Sequence, residues 1–238
     1  MSRKVSFKDW ILFEDDNYIA INKPPHVATL DDRAATINVL SLAKEYWQDA
    51  QVCHRLDKET SGVLLLSKNS AAYRNAAVQF EKRQVRKVYH AVVEGIHEFK
   101  QESIELPIEV RGNGPVRISH KDGKPSTTIV STLEAFREHS LVAAEPLTGR
   151  MHQIRVHLAS NRASIIADGL YGGRNFYLSS LKRKFKLKKF TEEEPLIKRV
   201  ALHAFSLELT NTNGKELLLE ATYPKDFNVL VKQLSKFK

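Results

Sequence analysis

The period of apolar positions changes several times along the chain. Ile11-Leu12-Phe13, then Glu14-Asp15-Asp16-Asn17, then Tyr18-Ile19-Ala20-Ile21-Asn22 reads as strand, turn, strand. Lys23-Pro24-Pro25 ends the second strand, because proline has no amide hydrogen to give a ladder. Thr36 to Trp47 keeps a helical period, with Ile37, Leu40, Ala43 and Trp47 on one face. Gln51 to Gly62 is polar and charged and reads as a loop. Val63-Leu64-Leu65-Leu66 follows it, a short apolar run suited to a fully buried strand. Ser70 caps a helix from Ala71 towards Arg83. Val85 to Val93 alternates as a strand that Gly95 closes.

The second half is punctuated by turn formers. Lys100 to Pro125 contains Gly112-Asn113-Gly114-Pro115 and Asp122-Gly123. Thr127–Phe136 and Leu141–Leu147 form an antiparallel pair across a connection that holds Arg137-Glu138-His139-Ser140. Thr148 would cap a helix from Arg150 to Ser160, stopped by Asn161. Ala201–Thr210 and Glu216–Thr222 pair across Asn211-Thr212-Asn213-Gly214. Strands outnumber helices and several meet at hairpin-length turns. The expected fold class is α+β on a mixed, mostly antiparallel sheet with flanking helices. No repeat or Gly/Pro/Ser-rich linker interrupts residues 1–238, so a single domain is expected.

Composition narrows the partners. Lys and Arg total 37 against 28 acidic residues, a formal charge of +9, which suits a polyanion such as nucleic acid. The single cysteine, Cys53, excludes an internal disulfide and any multi-cysteine zinc site. With no signal-like run after Met1 and no apolar stretch of membrane-spanning length, the expectation is a cytoplasmic protein without membrane contact. Basic charge concentrates in an excursion at about 174–199, where Leu181 to Phe190 holds six basic residues in ten. Leu181, Phe185, Leu187 and Phe190 are spaced among them, as in a basic amphipathic helix or an edge strand. Lys182, Arg183, Lys184 and Lys186 are its candidate RNA phosphate contacts. The alternative is a solvated edge guarded by lysines.

Three segments could carry chemistry. His54-Arg55-Leu56-Asp57-Lys58-Glu59-Thr60-Ser61-Gly62 crowds reactive side chains into a loop anchored by an apolar strand. Ser61 lacks the Gly-x-Ser-x-Gly setting of a nucleophilic serine. His54 and Asp57 alone are too few for a metal, and Arg55 between them opposes a cation, so no metal is expected. An Asp kept ionised by a nearby Arg can attack a sugar carbon, or it can simply be half of an ion pair. In Thr148-Gly149-Arg150-Met151-His152-Gln153-Ile154-Arg155-Val156-His157-Leu158, helical spacing puts Met151, Ile154 and Leu158 on one face. Arg155 falls at the edge of that stripe, half desolvated and in want of a carboxylate. Arg150, Gln153 and His157 point elsewhere, free for RNA or for caps. His152 and His157 are badly spaced for a shared metal and read as structural or RNA-contacting. In Arg86-Lys87-Val88-Tyr89, Tyr89 is a strand residue whose ring could stack on a base or belong to the core.

These segments together resemble the RluA-type pseudouridine synthases. The loop from His54 to Gly62 is similar to the family's catalytic motif, Arg86 to Tyr89 to its tyrosine motif, and Thr148 to His157 to its arginine motif. Weaker echoes are Asn22-Lys23-Pro24, Gly123-Lys124-Pro125, Asp168 to Gly172 and Leu202-His203-Ala204. The resemblance runs from about residue 11 to 228. It implies a sheet in two halves with a cleft, no organic cofactor and no metal, and an RNA substrate, ribosomal or transfer. A monomer is the expected state. Asp57 would be the nucleophile. Tyr89 would stack on the uracil and take the proton from its C5. Arg155 would pair with the Asp57 carboxylate. Arg55 would contact the flipped nucleotide or fill the space it leaves, and Leu202 would lie against the uracil. Arg150 and His54 are assigned to substrate binding. The chain departs from the family in two places. Ala163-Ser164 and Ala167 stand where His-Pro usually precedes Gly-Asp, and no room is expected for the S4 RNA-binding domain of many relatives. The rivals are a non-catalytic RNA-binding or ribosome-assembly protein on the same fold, and a nuclease built on His54, His152 or His157.

Overall fold

The computed structural model describes residues 6–30, 37–112, 115–182, 185–187 and 191–238. In chain order the elements are β1 (Ile11–Glu14), β2 (Tyr18–Lys23), α1 (Val39–Tyr46), β3 (Gln51–Val52), β4 (Ser61–Ser67), α2 (Ser70–Glu81), β5 (Arg86–Glu94), β6 (Glu102–Glu105), β7 (Ile108–Glu109), β8 (Arg117–Ile118), β9 (Thr127–Ala135), β10 (His139–Pro146), α3 (Gln153–Ser160), β11 (Leu202–Thr210), β12 (Glu216–Glu220) and α4 (Lys225–Lys236). The fold is α+β, with mostly antiparallel strands, as the strand-rich pattern predicts. The chain divides into two compact units. The first is Met1–Val88 with His203–Tyr223, and the second is Tyr89–Leu202 with Pro224–Lys238.

In the first unit β1 pairs with β2 and β2 with β4, both antiparallel. β4 then pairs parallel with β11, which pairs antiparallel with β12. All seven residues of β4 are buried, as expected of an apolar run inside a sheet. Tyr18, Ala20, Val63 and Leu65 on one face meet Ala72 and Ala76 of α2. The small alanines let the helix lie close to the strands, and the Tyr18 hydroxyl donates to the Ala72 carbonyl at 3.0 Å. The cap of α2 is Asn69 rather than Ser70; its carboxamide accepts from the Ala72 amide. α1 starts at Val39, capped by Asn38, and Thr36 lies outside the described residues.

In the second unit β5, β10, β9 and β6 pair in that order, all antiparallel. β7 and β8 form a separate two-stranded ribbon within the turn-rich stretch. α4 is absent from the sequence-based expectation, although Phe227, Leu230 and Leu234 recur at helical spacing and are buried. Its Asp226 pairs in a fork with the fully buried Arg199, at 2.7 and 3.1 Å. Burial alone would raise the Asp226 carboxyl, but the hydrogen bonds and charge of Arg199 hold it below the usual carboxylate range.

Among its described residues the basic excursion shows neither of the elements expected, and residues 188–190 of the expected element lie outside them. Its described residues hold one turn of 3-10 helix, Leu178–Ser180, and otherwise irregular chain. Irregular or not, it is tied down: the Leu196 amide donates to the Phe176 carbonyl, and Arg174 forks onto Glu94. Arg183 and Lys184 lie outside the described residues.

Candidate active site

The loop that carries Asp57 is fixed by backbone contacts on both sides of that residue. Before it, the Thr29 hydroxyl accepts from the Leu56 amide at 3.2 Å and donates to the Leu56 carbonyl at 2.8 Å. After it, the Lys58 carbonyl accepts from the His26 amide at 2.8 Å and from the Lys23 ammonium at 3.3 Å. Lys23 is wholly buried, and its Nζ also donates to the carbonyls of Pro24 and Val27. A buried ammonium is tolerated only when such acceptors surround it. The Thr60 amide donates to the Asp57 carbonyl and closes the turn. The Asp57 side chain is half-buried, while Arg55 is exposed.

The ends of the loop are fixed as firmly. His54 Nε2 accepts from the Leu65 amide at 3.1 Å, and the ring lies 5.1 Å from that of Phe80. Burial, and then the charge of Lys87, push the imidazole down to about 3, so it is neutral at physiological pH. His54 is expected from sequence to touch substrate, but that nitrogen is committed to β4. Its evident work is to hold the loop. At the far end, Ser61 Oγ and His203 Nδ1 are 2.9 Å apart and both are wholly buried. His203 Nε2 faces the Ala221 carbonyl at 3.1 Å, which requires the proton on that nitrogen and leaves Nδ1 of the neutral ring to accept from Ser61. Gly62 closes the motif for a steric reason. Its φ is +116°, and a Cβ there would sit 2.1 Å from the Ala204 carbonyl oxygen of β11.

In the second unit Arg155 is buried and finds the carboxylate that its position requires. Its Nε and Nη2 donate to the two oxygens of Asp168 at 2.7 and 2.6 Å. Asp168 is 1% exposed, so this fork is a desolvated pair. The Cζ of Arg155 also stands 5.1 Å from the centre of the Tyr171 ring. Sequence reasoning gives Arg155 only Asp57 as a partner; Asp168 and Tyr171 are visible there only within the faint echo from Asp168 to Gly172, with no role attached.

The helix itself differs from expectation. α3 starts at Gln153, after His152 in a left-handed conformation with φ 52°, and not at Arg150. Thr148 does not cap it. Its hydroxyl donates to Gln153 Oε1, which also accepts from the Arg150 amide. Gln153 Nε2 donates to the Thr127 carbonyl and to Thr128 Oγ1. Gln153 and His157 are therefore not free for RNA: His157 bridges Thr128 and the Leu106 carbonyl at 2.9 Å each. All six residues from Gln153 to Leu158 are buried, so Arg155 has no exposed edge to occupy. Met151, expected on the apolar face, is 38% exposed.

The other expected residues lie as follows. Tyr89 is half-buried on β5, opposite Ala144 of β10. Leu202 is buried, and its carbonyl accepts from Arg199 Nη1 at 3.2 Å. Arg150 is half-buried, and among the described residues its Nε is buried with no hydrogen-bond partner. A desolvated cationic donor of that kind is suited to an anion. Lys182 stands over the Phe237 ring at 5.8 Å, and Lys186 is exposed. No group of three or more His, Cys, Asp and Glu among the described residues could hold a metal ion. No described helix is long and apolar enough to cross a membrane.

A half-buried carboxylate on a loop pinned at its main chain is suited to nucleophilic attack, because it reaches its target with little reorganisation. An arginine set by a buried carboxylate can stabilise negative charge from a fixed position. Comparisons with known proteins bear on which reaction these parts serve. A family model described as RNA pseudouridylate synthase matches residues 17–160. Ribosomal large subunit pseudouridine synthase C of Haemophilus influenzae is 31% identical over 246 residues, covering 100% of this chain and 72% of that protein. Its counterpart in Escherichia coli K12 is 32% identical over 225 residues, 92% and 67% of the two chains. That of Vibrio vulnificus is 33% identical over 180 residues, and there the match spans only 57% of the relative's length. Among solved structures, human RNA Pseudouridylate Synthase Domain Containing 4 superposes with a TM-score of 0.75 at 24% identity, over 96% of this chain and 94% of that one. This last likeness is one of fold.

Proposed function

Because this chain belongs to the RNA pseudouridylate synthase family, we propose that it isomerises uridine to pseudouridine in RNA with Asp57 as the nucleophile. The observation that carries the reading is the loop on which Asp57 stands. Its backbone is held at Leu56 by Thr29 and at Lys58 by Lys23 and His26, so the main chain that carries the carboxylate between them has a defined position.

The reaction conserves every atom of the nucleotide. The bond from C1′ to N1 breaks, a bond from C1′ to C5 forms, the C5 proton leaves, and N1 gains one. No redox partner or activated donor is needed. The Asp57 carboxylate assists cleavage at the sugar, the released uracil turns, and a base removes the C5 proton. Tyr89 is the residue proposed to stack on the uracil and take that proton. Arg155 is proposed as the cation that pairs with the nucleophile's carboxylate, and Asp168 keeps that guanidinium in place. Arg55, Leu202 and Arg150 are proposed contacts to the nucleotide, Arg150 on the strength of its unpartnered Nε.

The target must leave its helical stack, at a cost of a few kcal/mol. Phosphate contacts from a basic surface can offset that cost, and the excursion with Lys182 and Lys186 is the proposed source. Large-subunit ribosomal RNA is the proposed substrate, since the bacterial relatives are ribosomal large subunit enzymes.

The test incubates the protein with unmodified transcripts of large-subunit ribosomal RNA and of tRNAs, then maps pseudouridine. Product at defined positions with wild type and none with Asp57→Asn is expected. Product from both proteins would remove Asp57 from its role. Product in tRNA alone would overturn the ribosomal assignment, and no product in either RNA would leave the fold to a binding protein.

A further inference from the structure

Tyr171 touches three places in the second unit. Its ring faces the Arg155 guanidinium, with the Cζ 5.1 Å from the ring centre. Its hydroxyl oxygen accepts from the Val116 amide, beside strand β8, at 3.0 Å. The same oxygen lies 3.0 Å from His152 Nδ1. Having accepted from Val116, the hydroxyl can donate its own hydrogen to that nitrogen. His152 is the left-handed residue from which α3 departs, three positions before Arg155. The ring also packs against the small core of Ile108, Val116 and Val156.

The backbone under Tyr171 leaves it little freedom. The amides of Tyr171 and Gly173 both donate to the Asp168 carbonyl, at 3.0 and 2.9 Å. The Tyr171 carbonyl accepts from Ser164 Oγ at 3.0 Å. Gly172 turns the chain at φ 87°, and a Cβ on Gly173 would lie 1.8 Å from the Ile165 carbonyl oxygen. Asp168, which grips the edge of the guanidinium, and Tyr171, over whose ring the Arg155 Cζ stands, thus project from one rigid turn. An edge fork alone leaves a guanidinium able to tilt about its two hydrogen bonds; an aromatic face removes that tilt.

We propose that Tyr171 is a positioning residue for catalysis: its ring fixes the plane of Arg155, and its hydroxyl ties that plane to the start of α3 and to the β7–β8 ribbon. This rests on the reading of Arg155 as the cation of a pseudouridine synthase. The two parts of the side chain separate by substitution. Tyr171→Phe keeps the face and loses the hydroxyl bonds, whereas Tyr171→Leu loses both.

Single-turnover rates are measured on an unmodified large-subunit ribosomal RNA transcript, together with the enzyme concentration at half-saturation. Tyr171→Leu should lower the saturated rate at least about tenfold with little change in half-saturation, and Tyr171→Phe should lie between it and wild type. In an Arg155→Lys background the Tyr171→Leu effect should shrink, because the plane it sets is gone. A second readout needs no activity. In a spectrum of 15N-arginine-labelled protein, the Arg155 Nε–H signal, assigned by its loss in Arg155→Lys, should move and broaden in Tyr171→Leu. It should stay near its wild-type position in Tyr171→Phe. An unmoved signal in folded Tyr171→Leu overturns the positioning role whether or not the protein modifies RNA. A wild type that makes no pseudouridine, with the signal shifted as described, overturns the catalytic reading and leaves the geometric one standing. Full multiplication of the two substitutions' rate effects would show that Tyr171 acts apart from Arg155.

Discussion

His54 makes the stability of the loop depend on pH in a way that can be isolated. Folded, its imidazole is neutral and Nε2 accepts from the Leu65 amide; a proton on that nitrogen would abolish the bond. Its ordinary value of 6.5 falls to about 3 in the folded protein, chiefly through burial and then through the charge of Lys87. Between those two values the unfolded chain binds a proton that the folded chain does not. The contribution is therefore fully present above the unfolded value and is lost progressively as pH falls towards the folded one. The limiting slope is about 1.4 kcal/mol per pH unit for one proton. From pH 7.5 to pH 5 the loss comes to about 2 kcal/mol. That figure hardly depends on where below pH 5 the folded imidazole titrates, since the measured window lies wholly above it.

The comparison is urea unfolding of wild type and His54→Gln at half-unit intervals from pH 7.5 to 5. Glutamine offers Leu65 a carbonyl oxygen but cannot be protonated there. The difference in stability between the two proteins should shift by about 2 kcal/mol in favour of the variant across that range. Other buried histidines, such as His157, titrate in both proteins and cancel. Parallel curves would show that the folded His54 takes a proton as readily as the unfolded one. In that case burial and the charge of Lys87 do not hold the imidazole neutral.

Gly62→Ala should cost about 3 kcal/mol or more, visible as a fall in thermal midpoint, because both its positive φ and the Ala204 carbonyl 2.1 Å from a Cβ oppose a side chain; a loss under about 1 kcal/mol would contradict that packing. Asp168→Asn removes the charge from the Arg155 fork, so urea unfolding should show a loss of about 3 kcal/mol, and the saturated rate on RNA should fall even where the protein remains folded. Neutralising Lys182, Arg183, Lys184 and Lys186 together should weaken RNA binding in filter assays. Its salt dependence should flatten by up to about one unit of slope for each phosphate that no longer meets a cation. Unchanged binding would take the excursion out of the interface.

The sequence makes legible what is written in short stretches. β2, β4 and β9 follow from local apolar patterns, and the loop around Asp57 announces itself by crowding charge before an apolar strand. The supports of that loop cannot be read in the same way. Thr29 and His203 meet it from 27 and 142 residues away, and only the folded register brings them there. β6, β7 and β8 are too short for a period to emerge from a run dense in turn formers. α4 escapes notice for a different reason: a charged surface face dilutes an apolar spacing that is nevertheless present.

α3 shows where periodicity misleads and where chemistry corrects it. A helix with three apolar residues on one face reads as half-exposed, which frees its polar residues for RNA. The helix is instead buried through six consecutive positions, and each polar residue is spent inside: Gln153 on Thr127, Thr128, Thr148 and Arg150, His157 on Thr128 and Leu106. Burial on all sides raises the stakes for Arg155. A guanidinium without a partner in that setting would cost several kcal/mol, so a carboxylate has to be present. That requirement holds although the expected helix boundary does not, because it follows from charge and desolvation and not from period. The carboxylate is Asp168, thirteen residues along the chain on a turn that only Gly173 can close. The faint echo around Asp168 in the sequence thus has a physical content: the turn exists to aim one carboxylate and one aromatic ring at a single arginine.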